Sequence, residues 1–63
     1  MYRCMFYSDF NDKNPIEINI SENYDFILRF CKKACKEFAS YPEKIDNGFK
    51  APYDDRHWIV GKA

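Results

Sequence analysis

The chain reads as a small α+β domain. The expected fold is ββαβ: a three-stranded antiparallel sheet in the order 2-1-3, with one helix packed on one face. Three observations predict this. Tyr2–Tyr7 is a run of β-forming residues. Ile16–Ile20 alternates apolar and polar residues. Ser21–Tyr41 carries apolar residues at helical spacing and meets Pro42.

In the first strand Arg3 is the only charge. Tyr2, Cys4 and Phe6 fall on one face, and Met1, Met5 and Tyr7 on the other. A strand apolar on both faces belongs in the middle of a sheet or beneath another chain. Ser8–Pro15 is a polar turn interrupted by Phe10. In the second strand Ile16, Ile18 and Ile20 are expected on one side, with Glu17 and Asn19 on the other.

Ser21 is the expected helix N-cap, with Glu22 and Asp25 in the first turn, where the helix dipole favours anions. Lys32, Lys33 and Lys36 lie in the later half. Ile27, Ala34 and Phe38 centre the apolar face, flanked by Phe30, Cys31 and Tyr41, with Phe26 and Leu28 at its edges. That arc spans about 200°, wider than one sheet needs, so a second surface is expected over part of it.

Glu43–Arg56 has no regular pattern. Asn47-Gly48 marks a turn, and Pro52 is expected to break pairing. The segment still carries Ile45, Phe49 and Tyr53. Arg56–Val60 is the last expected strand. A right-handed crossover through the helix sets it beside the first.

Sixty-three residues make one domain, 1–63. Twelve are aromatic: six Phe, five Tyr and one Trp. So small an interior cannot hold them all, and outward rings point to a partner surface. Ten Lys and Arg balance ten Asp and Glu. A nucleic-acid binder of this size draws affinity from a basic excess, which is absent here. The N-terminus shows no signal-peptide pattern, and no apolar run is long enough to cross a bilayer, so the expected location is cytoplasmic. Three cysteines are an odd number, which suits a reducing compartment better than a disulfide framework.

Cys31 and Cys35 stand four apart on the helix. With Cys4 and His57 they are the candidate zinc ligands, although the spacing matches no zinc motif and core packing is the simpler role. His57 with Asp54, Asp55 and Asp9 has acid–base chemistry but little chain to build a pocket around it. Two unclustered glycines, Gly48 and Gly61, exclude a phosphate-cradling loop. No cofactor is expected.

The candidate partner-binding residues are Tyr7, Phe10, Tyr41, Phe49 and Tyr53. The function expected is a non-enzymatic protein-binding domain, an inhibitor or modulator acting by surface occlusion as a homodimer. Phages and mobile elements use such short domains against host defence. The alternative is a dimeric nucleic-acid-binding or regulatory module using the basic helix face of Arg29, Lys32, Lys33 and Lys36.

Overall fold

A computed structural model describes residues 1–63. The chain forms β1 (Tyr2–Tyr7), β2 (Ile16–Ser21), α1 (Tyr24–Phe38), β3 (Glu43–Ile45), β4 (Gly48–Lys50) and β5 (His57–Lys62). The strands make one antiparallel sheet in the order β2-β1-β5-β4-β3. This corrects the expected three-stranded sheet of order 2-1-3. The segment read as irregular contributes two more strands, β3 and β4, as a hairpin that extends the sheet beyond β5. Three-residue strands are too short to reveal an alternating pattern, which is why the sequence hid them.

The helix lies on one face. Cys4, Phe49, Trp58 and Val60 rise from the sheet to meet Ile27, Cys31 and Cys35, with Tyr2, Phe6, Tyr24 and Leu28 packed around them. Ile27 and the three cysteines are fully buried. The opposite face has no helix over it. Met5 and Ile59 pair across that face, half-buried, and exposed Ile20 stands opposite Arg3.

The helix starts two residues later than Ser21. Asn23 is its N-cap, and its side chain accepts from the Phe26 amide at 3.0 Å. Ser21 instead ends β2, where its hydroxyl oxygen accepts from the Asn23 amide. Helix α1 ends at Phe38 with Ala39 as its C-cap, so Tyr41 lies outside it. No helix is long and apolar enough to cross a membrane.

In β2 a bulge opposite Cys4 and Met5 changes the pairing. Asn19 faces Cys4, Glu17 faces Met5, and Ile18 is the extra residue. The single isoleucine face expected from alternation is therefore split. Ile16 pairs with Phe6 on the helix side and Ile20 with Arg3 on the open side.

The two sheet edges differ. β2 is six residues long, and Ile16, Ile18 and Ile20 are 59%, 39% and 43% exposed along it. β3 is three residues long and carries Glu43 and Lys44; the Lys44 ammonium donates to the Ile45 carbonyl at 2.6 Å.

Candidate functional site

The register sets Tyr7, His57, Lys50 and Glu43 in one row across the sheet. The C-terminus of α1 reaches the same end, where Phe38 contacts Trp58 at 6.1 Å between ring centroids. The β1–β2 loop, the helix exit and the β4–β5 loop all leave from this end. Phe10, Tyr41 and Tyr53 are carried on them.

The β1–β2 and β4–β5 loops are each held by their own carboxylates. Asp12 accepts from the Ser8 amide, the Ser8 hydroxyl and the Asn14 amide at 2.8–3.0 Å. Those bonds hold its carboxyl below the usual range. The loop so fixed lays the Phe10 ring on His57 at 4.8 Å, with Tyr7 stacked on the imidazole's other side at 4.7 Å. His57 Nδ1 lies 2.7 Å from the Asp55 carbonyl oxygen. A carbonyl can only accept, so Nδ1 carries a proton.

In the β4–β5 loop the Ala51 amide donates to the Arg56 carbonyl at 3.0 Å. Asp54 accepts from the Arg56 amide at 2.9 Å and from its guanidinium at 2.8 Å. The hydrogen bond donated by the Arg56 amide is the main cause that lowers the Asp54 pKa, with the Arg56 charge adding to it. The Arg56 guanidinium also sits over the Phe38 ring at 4.6 Å. Between these fixed points Tyr53 adopts a left-handed backbone, φ 61°, and its ring stands wholly in solvent.

Four of the five expected contact residues gather at this end. Tyr53 and Tyr41 are the most exposed large apolar residues of the chain, Tyr41 at 82%. Phe10 shows one ring face and Tyr7 is half-buried. Phe49 is different. It is 8% exposed and belongs to the core, beneath the Lys32 and Lys44 ammonium groups at 6.0 and 5.5 Å from its ring centroid. Phe38, which the sequence placed at the centre of the helix's apolar face, is half-exposed and joins the surface cluster instead.

The four candidate zinc ligands do not converge. Val60 is the register partner of Cys4, and His57 lies three residues from it, so His57 projects from the opposite sheet face. Cys4 and Cys31 touch, Sγ to Sγ 2.8 Å, in the closed core. Sharing that hydrogen bond and buried, the Cys4 thiol is held far above its ordinary pKa; burial raises Cys35 as well. No cluster of three or more metal-ligating side chains forms. Asp54 is committed to Arg56, and His57 meets a backbone carbonyl of Asp55 rather than a carboxylate.

The basic helix residues divide between two flanks. Lys32 leans over Phe49 on the β4 side. Arg29 and Lys33, with Phe26, Phe30 and Asn19, line a groove of about 520 Å³ between α1 and β2.

Comparison with known protein families, with characterised proteins and with solved structures finds no match.

Proposed function

We propose that this chain is a non-enzymatic protein-binding domain that occludes a surface of a larger protein with the ring-bearing end of its sheet. The observation that carries the reading is Tyr53. A non-glycine residue at positive φ costs about 1 kcal/mol or more, and a ring left in water forgoes its burial energy. The loop nevertheless holds that ring outward through the Asp54–Arg56 clamp. Tyrosine suits such a contact, since it buries a large area at low rotamer cost. Tyr41 and Phe10 supply neighbouring apolar area. The acidic pairs Asp9/Asp12 and Asp54/Asp55 stand on the two loops at this end and give the patch a polar rim.

In this reading the chain is an inhibitor or modulator of the kind that phages and mobile elements deploy against host defence. Homodimerisation belongs to the same proposal, with the open sheet face of Met5, Ile20 and Ile59 as its seat. Light scattering tests the dimer. For the contact, the chain immobilised on a resin is used to capture proteins from cells that contain it, beside the variants Tyr53→Ala and Tyr41→Ala. Each variant should keep the parent's circular dichroism and weaken binding of the captured protein by about 2 kcal/mol, near thirtyfold. Parent-like affinity in both variants removes this end of the sheet from consideration as the contact.

A further inference from the structure

We infer that the β2 edge and the groove beside it form a second docking site, which takes an extended acidic peptide segment as an added strand. It lies away from the ring-bearing end and does not depend on it.

Four observations converge there. First, β2 is an outer strand, and one of its amides is capped by a side chain: the Ile20 N–H donates to Asn19 Oδ1 at 2.8 Å. An incoming carbonyl can replace that bond like for like. Secondly, three of the six β2 residues are exposed isoleucines, and Glu17, paired with Arg3 on the open face, is the strand's only charge, so the edge has little of the charge and no proline that normally guard one. Thirdly, the helix runs alongside, so a strand added to β2 has a second wall. Strand addition in such a cleft takes its affinity from main-chain bonds and its selectivity from alternate side chains that enter the groove.

The fourth observation fixes the chemistry of the occupant. Arg29 and Lys33 line the groove, both exposed, and neither makes a salt bridge; the three ion pairs of the chain are Arg3–Glu17, Lys50–Glu43 and Arg56–Asp54. The groove contains no acidic residue. Its two cations call for a carboxylate, and the Phe26 and Phe30 rings beside them take apolar side chains of the same segment. A second copy of the chain is the poorer occupant. Two-fold pairing through β2 sets two such cationic grooves side by side and supplies no acid to either. A single nucleic-acid strand answers the cations and rings but leaves the isoleucine edge unused.

The test is amide NMR titration of the full chain with four probes: a seven-residue peptide Thr-Val-Thr-Glu-Thr-Val-Thr, whose Val and Glu side chains share one face of an extended strand, the same peptide with Lys for Glu, the Glu peptide N-methylated on alternate amides, and oligothymidylate. The Glu peptide should shift the amides of Ile16–Ser21 together with those of Arg29 and Lys33. N-methylation should weaken it by about tenfold or more, because it removes the edge bonds. The double variant Arg29→Glu, Lys33→Glu should do the same while its own spectrum stays dispersed, both positions being solvent-exposed.

Any of the following overturns the inference: no shift with millimolar Glu peptide, equal binding of the Lys or N-methylated peptide, or parent-like affinity in the double variant. So does tighter binding of oligothymidylate at these residues, or concentration-dependent shifts of the Ile16, Ile18 and Asn19 amides without any probe and without accompanying shifts at Met5 and Ile59, which put a second copy on this edge rather than on the open face.

Discussion

Gly48 opens β4 and faces Ile59 of β5. A Cβ added there meets the Trp58 carbonyl oxygen at 2.1 Å and two Ile59 atoms at 3.0 Å. The first contact is closer than carbon and oxygen tolerate by about 1 Å. It is also a contact with backbone, which has no rotamer to escape into. Gly48→Ala must therefore push β4 off β5, loosening the hairpin that carries Phe49 into the core. Overpacking of this kind costs about 3 kcal/mol at the upper end of its usual range. A domain of this length has about 3–9 kcal/mol to lose. At roughly 4–8 °C per kcal/mol, the midpoint of a thermal melt should fall by about 12–24 °C. Gly61→Ala is the internal control. Its Cβ meets only the Met5 side chain at 3.8 Å, an ordinary contact, so its melt should stay within about 4 °C of the parent. Circular dichroism melts of the three proteins decide the matter. If Gly48→Ala melts within that same margin, β4 does not sit against β5 as described, and the five-stranded sheet falls with it.

The helix cap offers a smaller effect. Asn23→Ala should cost about 1 kcal/mol in urea unfolding, and Ser21→Ala clearly less, since Asn23 and not Ser21 bonds the Phe26 amide. The two loop carboxylates predict a pH dependence. Asp12 and Asp54 both have pKa values lowered below 3.8 in the folded chain. Their contribution is therefore fully present above the unfolded carboxylate pKa of about 4, and is lost as pH falls through the depressed folded values. The double variant Asp12→Asn, Asp54→Asn should show a flatter fall of melting temperature below about pH 4 than the parent. An equally steep fall assigns the acid limb to other groups.

The readable parts of the fold were those with enough residues to show a period. β1 announced itself because both of its faces are apolar, and the helix because Ile27, Ala34 and Phe38 share one face with Cys31 beside them, although the stripe it buries is Ile27, Cys31 and Cys35. β3 and β4 hold three residues each and have no period to read. The Asn47-Gly48 turn signal was visible, and Asn47 does hold a left-handed φ of 59°. Pro52 argued against pairing nearby, yet it lies in the loop after β4, where it interrupts no ladder. With that hairpin unseen, Phe49 looked like a loop ring free to meet a partner, whereas it is a strand residue facing the helix. The β2 bulge was equally hidden, because a strict alternation gives no sign that one residue is skipped. At the surface site Phe10 and Tyr53 were legible as rings in polar segments, which have little core to enter, whereas Tyr41 was read as a flank of the helix's apolar face and lies beyond the helix end. The groove between α1 and β2 was not, since it depends on which flank of the helix the sheet leaves open.

The asymmetry of the sheet margins bears on how this chain behaves in a crowded solution. With a formal charge of zero, electrostatic repulsion does nothing to keep copies apart. A sheet that could lengthen from both margins would propagate without limit. Here β3 acts as a terminator: it is brief and charged, and one of its carbonyls is already occupied by a lysine of the same strand. Pairing between copies is thereby confined to the β2 margin, and two copies joined there would expose only β3 margins, so edge-to-edge stacking of this chain closes at two.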